Sequence, residues 1–120
     1  MHRGHSYFVS AAIESLTPST EVVFLGSCGG YNNISQVLKY SQDAQVISSK
    51  QIGTMLVNDR LCLELNEMLR KGEDLVSDKL WLRLQSKFQK GSSASSRFQD
   101  YISPHKNLGA LLIKTYRRII

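Results

Sequence analysis

Two short apolar runs, each followed by small or polar residues, predict β-strands. Val22–Leu25 contains four consecutive apolar residues, two of them β-branched, which is typical of a strand buried on both faces of a parallel sheet. Residues 44–48 predict a second strand of the same kind. Helical spacing of apolar residues predicts helices at about 6–16, 33–41, 54–71, 77–88 and 107–118, with caps at Ser6, Asn33 and Ser77. This alternation predicts an α/β domain with a parallel sheet.

The predicted sheet is small for so many helices. Sheets of this class usually have about five strands, whereas the pattern predicts two. We therefore expect residues 1–120 to form one α/β domain, or the C-terminal part of a larger one, with a sheet that is incomplete on its N-terminal side. The open strand edge would then pair with an upstream part of the same precursor or with a second copy of the chain. The 91–96 segment, rich in Gly and Ser, predicts a flexible loop inside the domain.

Composition excludes several classes of function. The 15 Lys and Arg residues exceed the 10 Asp and Glu residues, giving a net charge of +5, but they are spread along the chain without interleaved aromatics. We therefore expect no nucleic-acid partner. No apolar run approaches about 18 residues, so we expect no membrane span. Two cysteines and three histidines without ligand spacing predict neither a disulfide framework nor a metal site, and nothing indicates a cofactor.

The residues that follow the first strand predict a cysteine held out on a tight turn. Cys28 lies between Gly26 and the pair Gly29-Gly30, and a helix is expected to begin shortly afterwards. A nearby helix N-terminus favours the thiolate, which is the reactive form of cysteine. Cys62 instead falls on the apolar stripe of a predicted helix, which indicates a core residue.

The order of elements places a histidine beside this cysteine. If a strand precedes Gly4, then that strand, the loop at His5, the first helix and Val22–Leu25 form a βαβ unit. Its strands run parallel, so the loops that carry His5 and Cys28 leave the same end of the sheet. The loop after the second strand lies on the same rim, where Ser49 and Lys50 are candidates to line a substrate site. Asn58 and Asp59 fit either helix surface positions or the same rim.

The segment Arg3-Gly4-His5, a helical spacer and the run from Val22 to Gly30 resemble the His-then-Cys signature of the caspase, separase and gingipain group of cysteine peptidases, clan CD. The resemblance implies a three-layer αβα caspase-like fold and cleavage of a peptide or protein substrate through an acyl-enzyme. His5 would be the general base and Cys28 the nucleophile. The N–H groups of Ser6 and Gly29, or that of Cys28, would bind the oxyanion. The sequence departs from the group at Ser6, where the group has glycine. Residues 104–109 also resemble bacterial caspase-like proteins.

Two alternatives remain open. The first is a catalytically inactive caspase-like module that serves binding or assembly, which Ser6 and the incomplete sheet favour. The second uses the G-x-C-x-G pattern of residues 26–30, which is similar to the nucleophile elbow of α/β-hydrolase-like or amidotransferase-like proteins. In those folds the histidine follows the nucleophile, so that histidine would be His105.

Overall fold

The computed structural model describes residues 1–2, 5–74 and 78–119. It contains both β-strands and α-helices, alternating from α1 to α3, which confirms the predicted α/β class. The strands are β1 (Val22–Leu25), β2 (Gln45–Ser49) and β3 (Tyr101–Ile102). The helices are α1 (Val9–Glu14), α2 (Ile34–Tyr40), α3 (Met55–Arg70), α4 (Lys79–Lys87), α5 (Ser93–Phe98) and α6 (Leu108–Ile119). Short 3-10 helices occupy Ser6–Phe8, Gly30–Asn33 and Pro104–Lys106.

The sheet has the order β1-β2-β3 and is mixed, not purely parallel. β1 and β2 pair in parallel from Val22 opposite Gln45 to Leu25 opposite Ser48, as the pattern predicts. β3 runs antiparallel to β2, with Ile102 opposite Ser48. The prediction of a parallel sheet therefore fails at this edge. The chain returns along β2 for two residues only, too few to show a strand pattern in the sequence.

A parallel β-bridge lies on the other side of β1. His2 pairs with Leu25: its N–H donates to the carbonyl of Phe24 at 2.9 Å, and the N–H of Gly26 donates to the carbonyl of His2 at 2.9 Å. The backbone at His2 therefore lies beside β1 and runs in the same direction. The other residues that lead to His5, Arg3 and Gly4, lie outside the described residues.

Alternate side chains of the strands enter two separate cores, so helices pack on both faces of the sheet. Phe24 and Ile47 pack on one face with α3, α4 and α5, while Val23 and Val46 pack on the other with α1, α2 and α6. This alternation explains why four consecutive apolar residues are needed in β1, since neither face is exposed to solvent.

The longest helix, α3, supports one of these cores. Its inward residues are Val57, Leu61, Cys62, Leu65 and Met68. Gly72 has φ of 68° and lets the chain turn back, so that the N–H of Glu73 donates to the carbonyl of Met68 at 2.9 Å. The sequence predicts that Gly72 ends this helix and that Leu69 lies on its apolar stripe. The stop is confirmed, whereas Leu69 is 52% exposed.

The structure differs from the prediction of a flexible loop at 91–96. The 91–96 segment does not form a loop throughout, because α5 begins at Ser93 and the hydroxyl of Ser92 accepts a hydrogen bond from the N–H of Ser95 at 3.1 Å. Serine is a favourable N-cap, so the residues that suggest a loop instead begin a helix. The predicted cap Ser77 lies outside the described residues.

The orientation of α6 also differs from the prediction. Ala110 is its buried residue, and Ile113 packs against the same core. On this face Lys114 donates to the carbonyl of Ala44 at 2.8 Å, and Arg117 donates to the carbonyl of Leu38. The helical spacing of the apolar residues in this segment predicts an inward stripe, but its members are exposed: Leu108, Leu111, Leu112 and Tyr116. In the described ranges, no helix combines the length and apolarity that crossing a bilayer requires.

Candidate functional site

The turn after β1 holds Cys28 at the surface. Cys28 is exposed, whereas Ser27 before it and Gly30 after it are buried. Gly29 adopts φ of 65°, a left-handed conformation that favours glycine. At Gly30 a Cβ atom would lie 2.6 Å from the carbonyl oxygen of Leu25, so a side chain there would collide with the end of β1. The turn can therefore fold back tightly onto the strand and leave the Cys28 side chain outside.

Asn58 of α3 lies beneath this turn. Its Nδ2 donates to the carbonyl of Gly26 at 3.0 Å, and its Oδ1 accepts a hydrogen bond from the hydroxyl of Tyr101 at 2.6 Å. The same hydroxyl accepts from the N–H of Thr54 at 3.0 Å. A Cβ atom at Gly26 would come within 2.7 Å of Asn58 Oδ1, so Gly26 is needed for this close approach.

The loop after β2 packs against the side of the turn. The N–H of Gly29 donates to the carbonyl of Gln51 at 2.7 Å. A Cβ atom at Gly53 would overlap the carbonyl oxygen of Gly26, so the two backbones touch here. The predicted oxyanion donor Gly29 is therefore occupied in this structure. No described residue accepts a hydrogen bond from the N–H of Cys28. Ser6 begins the 3-10 helix Ser6–Phe8, where a first-turn N–H has no partner within the helix.

His5 lies at the entrance to that 3-10 helix and is exposed. Its Nδ1 accepts a hydrogen bond from the N–H of Tyr7 at 3.1 Å, and its ring lies 5.9 Å from the Tyr7 ring. His5 thus provides a side-chain acceptor for this helix end. A neutral imidazole whose Nδ1 accepts carries its proton on Nε2. In this orientation the ring can donate from Nε2 but cannot accept a proton there.

The His2–Leu25 bridge places the loops of His5 and Cys28 at the same end of the sheet. Each of these residues follows its bridged residue by three positions, His5 after His2 and Cys28 after Leu25. Neighbouring strands are about 4.8 Å apart, so the two loops begin one strand spacing from each other. Among the described residues no hydrogen bond joins the imidazole to the thiol, since the imidazole is turned toward Tyr7.

The four predicted rim residues divide into two buried and two exposed side chains. Ser49 is buried at the end of β2, where its hydroxyl accepts from the N–H of Gln51 at 3.2 Å, and Asn58 is buried under the turn. Neither side chain is accessible to a substrate, so the rim interpretation fails for both. Lys50 is exposed, with its Nζ 5.5 Å from the centre of the Tyr31 ring, and Asp59 is exposed on α3.

His105 occupies a different part of the sheet. It is exposed in the 3-10 helix Pro104–Lys106, which follows β3. β3 lies beyond β2 from β1, whereas the His2 segment is directly beside β1. His2, three residues before His5, is therefore a direct neighbour of β1, whereas the strand before His105 is separated from β1 by β2. Within the described ranges, no three His, Cys, Asp or Glu side chains come together in a group that could hold a metal ion.

A cleft of about 640 Å³ lies away from Cys28, at the amino ends of β1 and β2. Its lining includes the acidic residues Glu21, Asp43, Glu73 and Asp74. Glu73 accepts two hydrogen bonds from Arg83, at 2.7 and 3.0 Å, and these hold the pKa of its carboxyl below the ordinary value. This cleft is separate from the candidate site, which is open to solvent at the other end of the sheet.

Sequence reasoning did not find the residues that support the turn. Gly53 gives a signal, since a glycine soon after a strand often marks a close backbone approach. Nothing in the pattern shows that its neighbour is Gly26, or that Asn58 and Tyr101 meet beneath Cys28. Those contacts depend on how α3 and β3 pack against the sheet.

Comparison with known proteins gives no assignment for this site. No protein-family model, curated protein or solved structure matches the chain.

Proposed function

We propose that the chain carries a cysteine-peptidase-like site of the clan CD type, in which Cys28 is the nucleophile and His5 its proton acceptor. A caspase-like arrangement of the sheet and its helices is part of this proposal. The observation that carries it is the parallel bridge of His2 with Leu25, because this bridge brings the histidine loop and the cysteine loop to one end of the sheet. The exposure of Cys28 is a second support.

The proposed chemistry is acyl transfer from a peptide to the thiol. The Cys28 proton passes to the His5 imidazole, and Sγ attacks the peptide carbonyl carbon to give a tetrahedral oxyanion. The C–N bond then breaks, the leaving amine takes the proton from the imidazolium, and a thioester remains. Water then attacks the thioester carbonyl carbon while His5 accepts its proton; the C–S bond breaks, the carboxylic acid leaves, and the imidazolium returns the proton to Sγ. The N–H groups of Cys28 and Ser6 would stabilise the oxyanion.

One rearrangement is required before this chemistry can begin. The His5 ring must release the N–H of Tyr7 and turn, because a general base needs a free lone pair directed at the thiol. His5 and Tyr7 are both exposed, so solvent can replace this hydrogen bond. A substrate that displaces the ring from Tyr7 would couple binding to activation.

A second function, an inactive module for binding or assembly, is favoured by two specific contacts. Nδ1 of His5 is occupied by the N–H of Tyr7, and the N–H of Gly29 is occupied by the carbonyl of Gln51. If these contacts persist, the site has neither its base nor one of its expected oxyanion donors. Cys28 would then be an ordinary surface thiol.

The rate at which iodoacetamide alkylates Cys28 at pH 7 distinguishes these functions, with peptide mapping to separate Cys28 from the buried Cys62. A His5-activated thiolate is expected to react about tenfold faster than Cys28 in the urea-unfolded chain, and His5→Ala should remove this advantage. His105→Ala is the matched control and should leave the rate unchanged. A rate no faster than in the unfolded chain, and insensitive to His5→Ala, would support the inactive module.

A further inference from the structure

We propose that Asn58 is a positioning residue for Cys28, acting through the backbone of Gly26. This inference rests on the proposed function, since it concerns how the same thiol is presented. Asn58 is 4% exposed and cannot contact a substrate directly. Its influence must therefore pass through the groups that it holds.

The contacts of Asn58 form a continuous chain from the C-terminal part of the molecule to the cysteine turn. Tyr101 of β3 donates its hydroxyl proton to Asn58 Oδ1 at 2.6 Å, and Asn58 Nδ2 donates to the carbonyl of Gly26 at 3.0 Å. The N–H of Thr54 donates to the Tyr101 hydroxyl at 3.0 Å, which fixes the phenol in turn. Both polar atoms of the Asn58 side chain have a hydrogen-bond partner, so the orientation of its amide is set from both sides.

Holding the Gly26 carbonyl also fixes the start of the turn. A peptide group is planar and trans, so fixing the carbonyl of Gly26 directs the N–H of Ser27 to the opposite side, away from Asn58. Gly53 packs against the same carbonyl, and Gln51 accepts the N–H of Gly29 on the far side of Cys28. Cys28 thus lies between two fixed peptide groups, of which Asn58 holds the first.

Asparagine suits this position because it donates and accepts in the same amide. Aspartate could accept the proton of Tyr101, but its second oxygen would face the Gly26 carbonyl without a proton to donate. Alanine would remove the donor that Asn58 gives to the Gly26 carbonyl and the acceptor that it gives to the Tyr101 hydroxyl, both in a buried place. Both substitutions should therefore release the turn, while Tyr101→Phe should loosen it by freeing one end of the amide.

The test measures iodoacetamide alkylation of Cys28 against pH in the full chain, for Asn58→Ala, Asn58→Asp and Tyr101→Phe. Asn66→Ala is the control, because Asn66 is an exposed asparagine on the same helix. We expect Asn58→Ala and Asn58→Asp to lower the rate at pH 7 about tenfold and to change the rate–pH profile, since small displacements of a reacting group are costly. Tyr101→Phe should have a smaller effect of about threefold, and Asn66→Ala should match the original chain within about twofold.

Two further measurements separate positioning from a merely structural role. Urea unfolding gives the folded fraction of each variant, and amide hydrogen exchange at Gly29 reports the hydrogen bond to Gln51. The inference is overturned if Asn58→Ala unfolds more easily but alkylates at the original rate per folded molecule. If Asn58→Ala does not fold, Tyr101→Phe decides, since it removes one hydroxyl only. An unchanged rate and unchanged Gly29 exchange in that variant would overturn the inference.

The His5→Ala variant distinguishes this inference from the proposed function. A rate lowered by Asn58→Ala but not by His5→Ala would support positioning and contradict the His–Cys site. An alkylation rate lowered by His5→Ala but not by Asn58→Ala would support the His–Cys site and contradict positioning by Asn58.

Discussion

His2 and Leu25 form a parallel β-bridge on the side of β1 away from β2. His2, three residues before His5, therefore belongs to the sheet. Because parallel neighbours end at the same edge, this pairing brings together two loops that lie far apart in sequence. The candidate site depends on this bridge more than on any other contact.

Replacing His2 by proline should weaken the bridge. Proline has no N–H, so the 2.9 Å hydrogen bond to the carbonyl of Phe24 is lost. We expect a loss of about 1 kcal/mol in the free energy of unfolding, measured in urea, and a slower alkylation of Cys28. His2→Ala keeps the N–H and is the control. Equal behaviour of the two variants would show that the bridge contributes nothing.

Substituting Gly53 tests the contact between the loop after β2 and the cysteine turn. A Cβ atom there overlaps the carbonyl oxygen of Gly26, so backbone must move. We expect Gly53→Ala to cost about 2 kcal/mol or more in urea unfolding. Gly72→Ala, where a Cβ atom meets nothing but φ is 68°, should cost about 1 kcal/mol through backbone strain alone. A Gly53→Ala chain as stable as the original would refute the close approach.

The pair of Glu73 with Arg83 should give a pH-dependent contribution to stability. Hydrogen bonds from Arg83 lower the pKa of Glu73 from its ordinary value of 4.5, so folding favours the ionised carboxyl. The stabilisation is therefore complete above pH 4.5 and is lost as the pH falls through the lowered pKa. Arg83→Gln should be less stable than the original chain at pH 7, and this difference should close in acid. Arg97→Gln on α5 is the control, and a gap that does not change with pH would contradict the pairing.

Two substitutions on α6 test which face of this helix is docked. Ala110 is buried, so Ala110→Leu should overfill the core and cost about 1–3 kcal/mol. Leu112 is 71% exposed, so Leu112→Gln should change the unfolding free energy by no more than about 0.5 kcal/mol. The reverse order of effects, read from thermal or urea unfolding, would restore the orientation that the apolar pattern predicts.

The sequence predicts the strands β1 and β2 well, because burial on both faces requires a continuous apolar run. Val22–Leu25 is assigned without error, and β2 begins and ends one residue later than predicted. β3 is not predicted because two residues carry no periodicity. α6 is predicted as a helix but with the wrong face inward. Lys114 and Arg117 on its inner face donate hydrogen bonds to backbone carbonyls of Ala44 and Leu38, and no local sequence pattern reveals such contacts.

The candidate site shows the same limit. His5 and Cys28 can be singled out because glycine turns and strand order are readable in the sequence. The roles of Asn58 and Tyr101 cannot, because they arise from one buried hydrogen bond between residues distant in sequence. The orientation of the His5 ring toward Tyr7 is likewise a property of the folded loop.

The most direct test of the account is a disulfide between position 5 and Cys28. In a Cys62→Ser background, His5→Cys should form an intramolecular disulfide with Cys28 under mild oxidation, detected by mass spectrometry of the digested chain. The His2–Leu25 bridge sets a strand spacing of about 4.8 Å three residues before positions 5 and 28. If the two loops stay side by side from there, the Cα atoms come within the range of about 4.4–6.8 Å that a disulfide needs. His105→Cys in the same background should not form it. A bond to position 105 but not to position 5 would contradict the adjacency on which the proposed site depends.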